Sequence, residues 1–307
     1  MSGPVDRRDT APEPAPGSAV QPPPAEVVDA RESVVGSMTV RRSLPKARRR
    51  TVGAWCFVDH FGPLAVEPDG GIDIGPHPHT GLSTVTYLLD GQVLHRDSLG
   101  SEQVIRPGQL NLMTAGQGLS HAEEPTGHYR GTMHGVQLWV AQPEATRHGS
   151  PAFQHHAELP RVELPGAEAT VLVGALDGAR SPARADTPLV GAALDLRPRA
   201  IDVGLDRTYE HLLVVLDGVL VLDDVPVRPG QSAYLGIGRD EIGLTAPDGA
   251  RVLLLGGEPF EERIVMWWNF VGRSREELAD AGRQWEQGDD RFGRVDTSLP
   301  RVPLPTL

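Results

Sequence analysis

Two stretches of the chain carry the same order of features: TYLLDGQVLHRDSLGSEQVIRPGQL, residues 86–110, and VVLDGVLVLDDVPVRPGQS, residues 214–232. Each reads as an apolar strand, an Asp-Gly turn, a further strand, an Arg-Pro-Gly-Gln turn and another strand. The segments between the two turns differ in length, as hairpins of unequal length allow. A repeated unit of this size predicts duplicated β-barrels rather than a short-period solenoid. Outward from each copy lie more short apolar runs broken by Gly, Pro, Asn and Asp. WCFVDHFG (55–62) and GVQLWVA (135–141) flank the first copy, and ATVLVGAL (169–176) and ARVLLLGGEP (250–259) flank the second. The expected fold class is all-β, with two similar barrels.

The remaining segments set the boundaries. Residues 1–33 are rich in Pro, Ala and acidic side chains without periodicity, which predicts a disordered segment. The first barrel is expected over 34–150 and the second over 165–295. Near the end the period changes: Ser274 caps a helix over about 275–287, Glu277 completes a capping box, Leu278, Ala281 and Trp285 share a face, and Gly288 stops it. Residues 296–307 read as an extended tail.

Composition narrows the function. With 35 Gly and 28 Pro in 307 residues, the chain is too turn-rich for a helical bundle. A formal charge of −12 argues against general nucleic-acid binding or attraction to anionic membranes. No apolar run is long enough to span a bilayer and no secretory h-region opens the sequence, so the expected location is the cytoplasm. The single cysteine, Cys56, reads as a small buried hydrophobe. Against the acidic background, Arg41, Arg42, Lys46, Arg48, Arg49 and Arg50 form a basic cluster, read as a solvated strand and turn or as a handle for an acidic partner.

Chemistry gathers at two places. In GPHPHTG (75–81), His77 and His79 stand two apart and point to one face of a strand, with Pro78 opposite. In MTAGQGLSHAEEP (113–125), His121 and Glu123 repeat that spacing after a Gly-rich turn. Three imidazoles and one carboxylate suit a borderline divalent metal, and a six-coordinate ion would keep two positions open. Elsewhere, Glu210 and His211 are adjacent and face opposite ways, so no metal is expected in the second barrel. His60, His95 and His134 read as structural or as orienting a ligand. His155 and His156 read as solvated loop residues, and Trp267 and Trp268 as core cover.

The run HPHxGxxTVTYLLDG, HRDS, IRPGQ, MTAGxGxSHAEEP, GVQLWV, LLLGGEPFEE and NFVGRSREEL resembles the pirin family of the cupin superfamily over roughly residues 36–295. The resemblance implies a bicupin with one iron-type site in the first barrel. Its ligands fall on His77, His79, His121 and Glu123, with one divalent metal per chain, Fe(II) first and other transition metals as alternatives. One departure stands at Ser83, where most pirins place a glutamate. That glutamate is not a usual ligand, so its loss bears on ordering around the metal or on catalysis. The implied activity is a quercetin 2,3-dioxygenase-like reaction on a small aromatic, flavonol-like substrate, with Glu123 as the base. The alternative is an iron-dependent regulator that docks on a transcription factor or metabolic enzyme, using the basic stretch 41–50 as its handle. A third possibility is a cupin acting on an unrelated small molecule.

Overall fold

The computed structural model describes residues 23–67 and 70–305. Most of the segment expected to be disordered, residues 1–22, lies outside the described residues.

Central strands of each barrel bury both faces, which is why they read as continuous apolar runs. In Glu210–Gly218, Leu213 and Val215 point into the second barrel, while Leu212, Val214 and Leu216 point out toward the first. In Leu82–Asp90 the alternation is reversed in chemistry: Thr84 and Thr86 line the first barrel and Val85 and Tyr87 face the seam. The apolar outer faces of two large sheets therefore pack on each other and form a core shared by both barrels.

The first barrel pairs a seven-stranded sheet with a four-stranded one. In spatial order the larger sheet runs Ala152–His156, Leu110–Thr114, Leu82–Asp90, Gly131–Ala141, Trp55–Val66, Met38–Leu44 and Arg31–Val35. The smaller runs Ile74–His79, Leu119–Glu124, Val93–Asp97 and Glu102–Ile105. The second barrel repeats the plan with an eight-stranded and a four-stranded sheet. The repeat holds at atomic detail. In both Arg-Pro-Gly-Gln turns the glutamine side-chain oxygen accepts from the arginine backbone N–H at 3.0 Å (Gln109 to Arg106, Gln231 to Arg228). Gly108 and Gly230 take φ of 78° and 89°, which side chains rarely adopt.

The expected disordered stretch ends too late. Glu26–Asp29 pairs with Gln231–Gly236 of the second barrel, and Arg31–Val35 then pairs with Met38–Leu44 of the first, so this chain end staples both. Edge strands of this kind are held by backbone hydrogen bonds rather than by a buried side-chain pattern, and alternation does not reveal them. The basic cluster serves the same junction. Arg49 pairs with Glu26 at 2.9 Å and lies 3.3 Å over the Tyr234 ring, Lys46 donates to the Asp29 carbonyl, and Arg42 binds Asp59. The expectation of a solvated cluster needs correction for Arg41, Arg42, Lys46 and Arg49, which are half-buried, whereas Arg48 and Arg50 are exposed.

The seam also explains particular residues. Trp55 Nε1 crosses it to donate to the carbonyls of Val190 (3.0 Å) and Gly256 (3.2 Å). Glu210 accepts from Gly53 N at 2.9 Å and from the Tyr234 hydroxyl at 2.7 Å. Gly53 has φ of 50°, and a Cβ there would sit 2.7 Å from the Gly257 backbone. We expect Gly53→Ala to cost at least about 1–3 kcal/mol through overpacking, seen as a lower chemical-denaturation midpoint. An unchanged midpoint would show that the barrels are free to separate here. Cys56 is buried, and burial pushes its thiol up to about 12, as fits a packing role.

The expected helix forms at Arg275–Gln287, with Glu277 N donating to Ser274 Oγ at 3.2 Å and Gly288 left-handed at its end. Beyond it, the tail is a strap rather than a loose end. Val302 N donates to Pro76 O at 2.9 Å, Trp285 Nε1 donates to Val302 O at 3.0 Å, and Arg301 stacks on Trp285 at 3.8 Å. Among the described residues no helix is long and apolar enough to cross a membrane.

Candidate metal centre

Strand Ile74–His79 presents His77 and His79, and its antiparallel neighbour Leu119–Glu124 places His121 directly opposite His77. A bulge between His121 and Glu123 shifts the register, so that Glu123 pairs with Ile74. The three imidazoles are buried, and each offers a ring nitrogen within 4.8 Å of the others. Glu123 lines the same cavity as His77 and His79 but stands outside that tight cluster.

The far nitrogen of each ring is already engaged. His77 Nδ1 is 2.9 Å from Gly75 O, His79 Nδ1 is 3.0 Å from Asn269 O, and His121 Nδ1 is 3.4 Å from His95 Nδ1. Contacts to carbonyls select the tautomer protonated at Nδ1 and leave Nε2 as a lone-pair donor. His79 Nε2 and His121 Nε2 lie 3.1 Å apart. Burial pushes His77 down to about 4 and His79 and His121 well below the usual histidine range, so all three are neutral near pH 7. Burial pushes Glu123 the other way, up to about 7, against a hydrogen bond from Thr86. Neutral imidazoles converging beside a buried carboxyl fit a divalent ion.

The cavity holds about 600 Å³. His77, His79 and Glu123 line one part of it. Phe57, Asp59, Gln137 and Trp139 rise from the large sheet, and Arg42 projects from the neighbouring strand. Trp268, Asn269 and Val302 close it from the C-terminal segment. Thr86 Oγ1 donates to Gln137 Oε1 at 2.7 Å within the cavity wall.

Several sequence readings change here. His95 Nδ1 adjoins His121 Nδ1 at 3.4 Å; its Nε2 lies 3.2 Å from Asp97 Oδ2, and Asp97 Oδ1 is fixed by the N–H groups of Leu99 and Ser101. His60 and His134 instead pair with each other, Nε2 to Nε2, at 2.8 Å. His155 and His156 lie on a half-buried strand, and His155 Nδ1 contacts Asn111 at 2.7 Å, so neither is a loop residue. Trp268 lines the cavity as well as packing in the C-terminal aromatic cluster.

Ser83 brings the largest correction. Its hydroxyl donates to Thr114 Oγ1 at 3.1 Å, and it borders the seam with Gln142, Arg184 and Asp186, on the strand face opposite Thr84 and Thr86. A glutamate at this position would meet the second barrel, not the histidines.

Three buried histidines in the first of two stacked barrels define a cupin-type metalloprotein with a duplicated barrel. Sequence comparison refines that class. The chain belongs to the pirin family: the Pirin profile matches residues 37–140, and the Pirin C-terminal cupin domain matches residues 195–293. A Pseudomonas aeruginosa protein carrying the provisional name quercetin 2,3-dioxygenase is 48% identical over 283 residues, covering 91% of this chain and 90% of its own. A pirin-like protein of Caulobacter vibrioides is 37% identical over 287 residues, covering 91% and 98%. The crystal structure of quercetin 2,3-dioxygenase from Acinetobacter baumannii matches with a TM-score of 0.89 at 41% identity, covering 94% of this chain and 97% of that one. A bacterial pirin of Escherichia coli in complex with nickel(II) shares the fold at 17% identity, with a TM-score of 0.63 over 77% of this chain.

Proposed function

We propose that this protein is a mononuclear, iron-type dioxygenase that opens a flavonol-like ring, as the names of its Pseudomonas and Acinetobacter relatives suggest. The observation that carries the reading is the convergence of three neutral imidazoles at a cavity large enough for one aromatic substrate. His77, His79 and His121 hold the ion, and Glu123 is either a fourth ligand or the base beside it. A bound Fe(II)-type ion would supply substrate chelation, acidification of the substrate hydroxyl and activation of oxygen.

The chain's own residues do the rest. Glu123, buried beside the three imidazoles, would accept the proton of the substrate hydroxyl. Thr86 contacts the carboxyl. Phe57 and Trp139, stacked at 4.0 Å, stiffen the aromatic wall.

The test combines metal analysis with oxygen uptake. The purified wild type is expected to hold close to one metal per chain after reconstitution with Fe(II), and to consume oxygen with quercetin. His77→Ala/His121→Ala is expected to lose both. Metal without oxygen uptake would remove the flavonol activity, and metal retained by the double variant would remove this site. Parallel loading with Ni(II), Mn(II) and Zn(II) identifies which ion supports turnover.

A further inference from the structure

Arg42 is charged and faces a cavity that otherwise carries metal-type ligands and aromatic rings. On strand Met38–Leu44, Met38 and Val40 join the barrel's interior core, and alternation sends Arg42 to the same side. Its guanidinium is fixed in two ways. Nε donates to Asp59 Oδ1 at 2.7 Å and Nη2 to Asp59 Oδ2 at 2.6 Å, and Cζ lies 4.3 Å from the Phe57 centroid. Arg42 and Asp59 both line the cavity that holds His77, His79 and Glu123. Among the described residues, Arg42 Nη1 has no hydrogen-bond partner.

A buried charge pair is not needed to stabilise a barrel, since apolar residues of equal volume often do as well. Here the pair has a specific chemical signature. Guanidinium only donates, and an ionised carboxylate only accepts. Side by side they offer one donor and one acceptor with charges that offset each other. A carboxylate entering beside them would face Asp59 as well as Arg42, and an ammonium would face Arg42. A neutral hydroxyl matches both, accepting from Nη1 and donating to a free lone pair of Asp59.

We propose that the Arg42–Asp59 pair is a specificity determinant that recognises a phenolic hydroxyl on the part of the substrate away from its metal-chelating oxygens. The substrate class is then a planar, polyhydroxylated aromatic rather than an aromatic acid or an unsubstituted ring. The inference rests on the proposed flavonol-type activity of the same site and adds what the far wall selects.

The test is equilibrium binding by calorimetry to metal-loaded protein without oxygen, so that no turnover is needed. The probes are quercetin and 3-hydroxyflavone, which share the chelating oxygens and differ in the other hydroxyls. One hydroxyl bonded to a charged pair predicts roughly ten- to a hundredfold tighter binding of quercetin by the wild type. In Arg42→Met/Asp59→Leu the two probes are expected to bind equally, with metal content and 3-hydroxyflavone affinity as in the wild type. Arg42→Lys, which keeps the charge but loses the planar fork, is expected to keep only part of the preference. An unchanged preference in either variant overturns the proposal. Equal binding by the wild type overturns the anchor alone. No binding of either flavonol overturns the anchor and the activity together, whereas selective binding without oxygen consumption leaves the anchor standing and removes the activity.

Discussion

Glu123→Gln is expected to lower flavonol turnover by roughly 10²–10⁴-fold while the protein still takes up metal. The substitution keeps the shape of the side chain and its contact with Thr86, but removes a group able to hold the substrate proton. His77, His79 and His121 remain, each with its outer nitrogen engaged, so three ligands still converge. Metal analysis and single-turnover oxygen uptake read the two effects separately. Full turnover in the variant would assign the proton to another acceptor. Loss of metal would show that Glu123 is an indispensable ligand rather than the base.

Gly75→Ala is expected to unseat the C-terminal strap and weaken the metal site at the same time. A Cβ on Gly75 would lie 2.0 Å from the backbone oxygen of Pro300, so the main chain of one segment or the other has to move. The Gly75 carbonyl orients His77, and the neighbouring Pro76 carbonyl accepts from Val302 N. Trypsin is expected to cleave after Arg301 far faster than in the wild type, followed by mass spectrometry. Metal affinity, measured by chelator competition, is expected to fall about 10–100-fold, the usual cost of losing the group that orients a ligand. Unchanged cleavage and affinity would mean that the tail merely rests on the surface.

The pairing of His77 with His79, and of His121 with Glu123, was legible because it is local. Residues two apart on one strand share a face, and both His77/His79 and His121/Glu123 lie within single strands. The repeat was legible for a related reason: turn chemistry is written in consecutive residues, and Gln109 and Gln231 cap their own turns. What stayed hidden acts through the backbone or across a corner. Asn269 orients His79 with a carbonyl, which every residue possesses, so no side chain marks the role. Ser83 follows His79 only after a break at Gly81, where φ of 68° turns the chain from one sheet into the other. Counting faces from the histidines fails beyond that corner. Arg42 and Asp59 stood in plain view, but a basic cluster read by charge alone gives no sign of which side chain enters a barrel.

The contact between His79 and Asn269 spans 190 residues of sequence. At a ribosomal rate of about 5–20 residues per second, the carbonyl that aligns His79 emerges roughly 10–40 s after the histidine itself. The strap at Val302 is later still. A nascent chain therefore presents His77, His79 and His121 well before Asn269 can orient His79, and the order of synthesis sets the order in which the cluster is completed.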